Sequence, residues 1–258
     1  MKGGAPATVV RQVGWEQRQF WRNPASAAFT FAFPLLFLVV FIGINGNDTV
    51  RLPGGKVPFA QFYVPAIIAF GVISAWYTNL AFNLSIRRDN GLLKRIRGTP
   101  LPPAVYLGGI AGNVIVVSTI LTALVTGLGA IAYGVTFPGS YLALVLTLFL
   151  GAACFGACGA MVSTFVPNED AAPAIVNFII FPLLFISGTF GRVDATSTLG
   201  RIASVFPVYH LNKLLEANFN PVPHESTLGT GHVAVLSAWL VGALVVAALR
   251  FRWEPNRT

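Results

Sequence analysis

From Gly98 to Asn168 the chain reads GTPLPPAVYLGGIAGNVIVVSTILTALVTGLGAIAYGVTFPGSYLALVLTLFLGAACFGACGAMVSTFVPN, 71 residues without one Asp, Glu, Lys or Arg. A helix needs about 20 mostly apolar residues to cross the hydrocarbon core of a bilayer. This stretch therefore holds two spans. Phe137-Pro138-Gly139-Ser140 supplies the break between them, because Pro removes a backbone donor and Gly permits a tight turn. The spacing predicts membrane helices from Tyr106 to Tyr133 and from Tyr141 to Val166.

Four further charge-free intervals hold one span each. They run from Asn23 to Asn47, Val57 to Ile86, Ala171 to Gly191 and Ser226 to Leu249. The expected helices are Ala25 to Ile44, Phe62 to Leu84, Ala174 to Phe190 and His232 to Leu249. The fold class is then all-α, a polytopic membrane protein with six transmembrane helices. Composition agrees: 55% of the 258 residues are hydrophobic and 10% charged, against about 25% charged in soluble domains. The net charge of +8 falls in clusters between apolar runs, so it points to membrane topology and not to nucleic acid. Two Cys and three His fit neither a disulfide scaffold nor a zinc motif.

An even number of spans places both termini on one side, and basic residues mark the cytoplasmic face. Lys2, Arg11, Arg18 and Arg22 precede the first span, Arg87, Arg88, Lys94, Arg95 and Arg97 lie between the second and third, and Arg250, Arg252 and Arg257 follow the last. Twelve of the seventeen Lys and Arg thus favour cytoplasmic termini in the inner, cytoplasmic cell membrane. The segment Met1 to Arg22 lacks the apolar core of a signal peptide, so the first span is read as an anchor.

Residues 1–24 are expected to form an interfacial unit ahead of a permease domain at 25–258. At 100° per residue, Val9, Val10, Val13, Phe20 and Trp21 gather on one arc with Arg11, Arg18 and Arg22 opposite, the pattern of a helix lying along the membrane surface. Trp15 falls on the polar side, and a solvated basic tail is the alternative reading.

The stretch Arg87-Arg88-Asp89-Asn90-Gly91-Leu92-Leu93-Lys94-Arg95-Ile96-Arg97-Gly98-Thr99-Pro100 mixes apolar and basic residues and stops at Thr-Pro-Leu-Pro-Pro. It reads either as an ordinary basic loop or as a short amphipathic helix that a soluble partner can grip. With Trp21-Arg22-Asn23-Pro24 before the first span and Phe181-Pro182-Leu183-Leu184-Phe185-Ile186-Ser187-Gly188 followed by Phe206-Pro207-Val208-Tyr209-His210, it resembles the membrane permeases of type-two ABC exporters. That group includes daunorubicin-resistance, polysaccharide-export and sodium-extrusion permeases.

The resemblance implies that Arg87, Arg88, Asp89, Gly91, Leu92, Leu93, Lys94, Arg95, Arg97, Thr99 and Pro100 form a coupling helix seated in a cytosolic ABC ATPase. Two ATPase copies carrying ATP and Mg, and a second permease, identical or homologous, complete such an assembly. It also implies short external re-entrant helices between Arg192 and Thr230. The chain itself is expected to be no enzyme and to bind no cofactor or metal. A phosphate-binding loop needs a Gly-rich turn ending in Lys-Ser or Lys-Thr, and Gly134 to Ser140 (GVTFPGS) has the glycines without the Lys.

Polar residues within the spans are few. Ser74, Asn79, Asn83 and Asn177 are candidate pathway residues, with helix packing as the alternative. Cys154 and Cys158 lie among Gly and Ala, a packing face. Spans in which His232, at the edge of the last, is the one candidate ion-binding residue disfavour ion-coupled carriage, leaving an accessory or channel-like subunit as the rival to an ATP-driven exporter of amphipathic or hydrophobic cargo.

Overall fold

The computed structural model describes residues 5–45, 48–52, 55–98, 102–136, 139–191, 193, 196–220 and 228–250. Eleven helices and one hairpin occupy them. Helix α1 (Ala5–Trp21) leads into α2 (Pro24–Asn45), and the hairpin β1 (Thr49–Leu52) and β2 (Gly55–Pro58) follows. The chain then stays helical from Phe59 to Asp89 as α3 (Phe59–Ile73), a π-helical turn (Ser74–Thr78) and α4 (Asn79–Asp89). Next come α5 (Leu92–Arg97), α6 (Pro103–Tyr133), α7 (Tyr141–Ser163), α8 (Ala172–Ile186), α9 (Thr198–Ala203), α10 (Pro207–Phe219) and α11 (Thr230–Arg250).

The described residues contain four helices long and apolar enough to cross a membrane, at Phe59–Asp89, Val105–Tyr133, Tyr141–Ser163 and Thr230–Arg250. Two shorter apolar helices, Thr30–Asn45 and Ala172–Ile186, accompany them. At 1.5 Å per residue, the 15 residues of α8 rise about 22 Å, less than the roughly 30 Å hydrocarbon core. The fifth helix expected to reach Phe190 ends at Ile186. Gly188 has φ 87°, a conformation that closes the helix, and the Asn212 amide takes the Ser187 carbonyl and Thr189 hydroxyl at 3.1 and 2.8 Å.

Helix α3 forms the centre. Tyr63, Val64, Ile67, Ile68 and Ile73 are almost wholly buried, packed by α2, α6, α7 and α10. The outer faces of α6, α7 and α11 expose Ile131, Leu142, Phe149, Leu244 and Leu249, the surface a bilayer would cover. Helix α10 is buried almost end to end against α3, α7 and α11. In it His210 bridges His232 and the Ser204 carbonyl, each at 2.7 Å.

The hairpin is a departure from the all-α class expected. Thr49 pairs with Pro58 and Leu52 with Gly55.

Candidate functional site

The site is built where α4 ends. Arg87 and Arg88 are consecutive, so their side chains leave the helix about 100° apart, and both turn inward, 8% and 3% exposed. Arg87 donates to both Glu16 carboxylate oxygens, Nη1 at 3.0 Å and Nη2 at 2.7 Å, and to the Tyr106 hydroxyl at 2.6 Å. It thereby joins α4 to α1 and α6. Arg88 donates to the Ser163 carbonyl at 2.9 Å and to the Val166 carbonyl, taking up acceptors that the end of α7 leaves open.

Asp89 accepts from the Glu169 backbone N–H at 2.9 Å, and the Asn90 amide donates to the Glu169 carboxylate at 2.9 Å. Gly91 then turns the chain with φ 67°, a conformation that a Cβ would strain. Beyond it Leu93 is buried, 1% exposed, whereas Leu92, Lys94 and Arg95 face outward.

The expected coupling residues therefore divide. Arg87, Arg88, Asp89 and Leu93 anchor the elbow from within, Gly91 shapes it, and Leu92, Lys94 and Arg95 form its presented surface. The Arg97 side chain, Thr99 and Pro100 lie outside the described residues.

The apolar arc of α1 divides as well. Val9, Val13 and Phe20 pack against protein: α1 rests along α6, where a Cβ on Gly109 would fall 3.3 Å from the Gln12 backbone and one on Gly112 2.4 Å from Val13. Phe20 packs with Ala27, Phe31 and Val117. Val10, Trp15 and Trp21 are exposed, with Arg11, Arg18 and Arg22, leaving an outward face of arginine and tryptophan that suits a headgroup layer.

Among the described residues, three cavities bear on the candidate residues. Ser74 and Asn79 line a crevice of about 70 Å³ between α2 and α3, with Phe33, Pro34 and Phe70. Asn79 and Asn83 also line a polar cavity of about 120 Å³ with Glu16, Arg87 and Asn113. A larger, mostly apolar groove of about 630 Å³ separates α6 from α7, with Ser118, Thr119, Thr122 and Thr126 among its lining. Asn177 is half-buried on α8, outside these three. Cys154 and Cys158 are buried, free thiols in α7, the packing face expected of them.

Sequence reasoning missed Glu16. The signal was present, since it is the one acidic residue in the first 47, set in an otherwise basic segment. It also missed the π-helical turn, whose fit depends on contacts distant in sequence.

Packed apolar helices around a central buried one, with an anchored elbow carrying basic residues outward, define an integral membrane protein of the transport-permease class. Residues 11–220 match the family described as ABC-2 type transporter; with most of the chain matched, this protein belongs to that family. It is 23% identical over 211 residues to the inner membrane transport permease YadH of Escherichia coli (strain K12), covering 80% of this chain and 81% of that protein. The YadH proteins of Escherichia coli O157:H7 and Shigella flexneri match to the same extent.

Proposed function

We propose that this chain is the membrane subunit of an ATP-driven exporter, with α5 as the element a cytosolic ABC ATPase grips. The observation that carries this is the division at the elbow. Arg87, Arg88, Asp89 and Leu93, with a left-handed glycine, hold α5 in place, while Leu92, Lys94 and Arg95 are exposed on its outward side. A rigid lever needs such an arrangement, because a thrust on α5 passes through Arg87 to α1 and α6 and through Arg88 to α7. A plain connector needs none of it.

In this reading both termini and α5 are cytoplasmic in the inner membrane, residues 1–24 act as an interfacial unit and 25–258 as the permease. Six segments cross the bilayer, α8 being completed by the turn after it, and α9 and α10 enter the outer leaflet. Two ATPases with ATP and Mg, and a second permease, complete the assembly. The cargo is hydrophobic or amphipathic, a drug, lipid or lipid-linked glycan, since the spans offer apolar walls with amides and hydroxyls such as Ser74, Asn79, Asn83 and Asn177. A small ion would shed water along these walls with Glu16 and Arg87, the charges beside Asn79 and Asn83, already paired to each other, at a cost of several kcal/mol.

The double substitution Lys94→Glu/Arg95→Glu tests this, because it reverses charge on the presented surface and leaves the buried partners alone. Capture of the co-expressed ATPase should weaken about ten-fold or more, and transport should fall with it, while membrane insertion is unchanged. Undiminished capture and transport would reduce α5 to a connector. Leu93 is unsuited to the same test, since a charge there would disrupt the core.

A further inference from the structure

The polar cavity beside α1 holds more hydrogen-bonding capacity than the fold consumes. Asn113 is 8% exposed and lines it, yet its Oδ1 has no hydrogen-bond partner among the described residues. A buried amide oxygen left unpaired costs about 1–3 kcal/mol, so its retention calls for an explanation. Across the cavity the Asn83 amide donates to both the Asn79 carbonyl oxygen and the Asn79 side-chain oxygen. Among the described residues this leaves the Asn79 amide N–H groups and the Asn83 side-chain oxygen available to a ligand.

The charges in the wall cancel. Glu16 and Arg87 form a bidentate pair, each about nine-tenths buried. An anionic head would meet the Glu16 carboxylate, and an ammonium would give donors only, satisfying no amide N–H. Hydroxyl groups both donate and accept, as carboxamides do. The volume of about 120 Å³ is that of a few water molecules at roughly 30 Å³ each, room for a glycerol-sized portion of a molecule.

Asn79 gives the direction of the rest. It also borders the crevice walled by Phe33, Pro34 and Phe70, so a molecule with its head among the amides has an apolar path leading away. The π-helical turn directly precedes Asn79, and such turns within α-helices recur at functional sites.

We infer that this cavity receives the uncharged, hydroxyl-bearing head of an amphiphile, of glycerol or sugar type, with its alkyl tail starting along the crevice at Asn79. This rests on the exporter reading and specifies which amphiphiles it accepts.

The test uses the complete permease–ATPase complex in phosphatidylcholine nanodiscs and a photoreactive alkyl glucoside. Labelling should map to α1, α4 and α6, and should be displaced by plain alkyl glucoside but not by alkyl phosphate or alkyl trimethylammonium of equal chain length. Asn113→Leu, and separately Asn79→Ser in case the first variant misfolds, should weaken glucoside binding about ten-fold, as expected for one lost hydrogen bond to a buried amide. Equal displacement by alkyl phosphate, or unchanged binding in both variants, would overturn the assignment. ATP hydrolysis measured in parallel separates the two readings. Labelling with no amphiphile stimulating hydrolysis contradicts export and keeps the cavity, whereas stimulation without labelling there contradicts the cavity alone.

Discussion

Glu16→Ala is expected to destabilise the folded protein by about 3–5 kcal/mol, the cost of leaving one member of a buried ion pair without the other. Arg87 lies in a wall formed by α1, α4 and α6, and its remaining partner would be the Tyr106 hydroxyl. A neutral hydroxyl cannot balance a guanidinium removed from water. Helix α1 should loosen from α6 as a result, since the Gln17 amide contact to the Asn113 carbonyl at 3.2 Å is a weaker tether. Glu16→Gln keeps an acceptor and should cost less. The double change Glu16→Ala/Arg87→Met should recover most of the loss, because the pair contributes little net stability once both charges are gone. Denaturant unfolding of the purified protein in lipid nanodiscs measures all three. A Glu16→Ala variant within about 0.5 kcal/mol of the parent, the range of ordinary surface substitutions, would contradict the anchoring role.

Gly159→Val should be the other severe substitution. Helix α7 passes the π-helical turn so closely that a Cβ at Gly159 would lie 2.6 Å from the Tyr77 carbonyl oxygen and 3.1 Å from its Cα. Backbone cannot move aside as a flexible side chain can. Overpacking of this kind costs about 1–3 kcal/mol even where side chains give way, and here the top of that range or beyond is expected. The turn must shift, and with it Asn79 and the cavities it borders. Transport should therefore fall further than the amount of folded protein does. Gly242→Ala on α11 is the control, since nothing lies within 4 Å of a Cβ there; it should leave thermal stability and transport unchanged. If Gly159→Val matched that control, the close approach of α7 to the turn would be wrong.

The helices were legible because lipid imposes a coarse rule on sequence: charge-free runs of about 20 residues leave few other structures open. Their ends were less legible, being set by local and distant contacts. Ser163 closes α7 where Arg88, 75 positions earlier, reaches its carbonyl, and Ile186 closes α8 where Asn212 and Gly188 take over. The hairpin escaped because Thr49 to Leu52 and Gly55 to Pro58 are four residues each, too short for alternation to register.

At the elbow, sequence located the right residues but could not sort them. Arg87, Arg88, Lys94 and Arg95 look equivalent in a basic run. Only Glu16, 71 positions from Arg87, and the carbonyls ending α7 separate the inward pair from the outward one. The amide cavity was half visible, since Asn79 and Asn83 stand out in an apolar span. Asn113 and Glu16 joined them only through the packing of α1 against α6.

The central claim, that α5 is where an ATPase seats, is tested most directly by site-specific photocrosslinking. A photoreactive amino acid is placed at Leu92 or Arg95, and at Ile131 at the far end of α6, in cells co-expressing the candidate ATPase. Ile131 is 90% exposed and serves as a surface control. The account predicts adducts to the ATPase from 92 and 95 and none from 131. No adduct from either α5 position, or an equal adduct from 131, would contradict it.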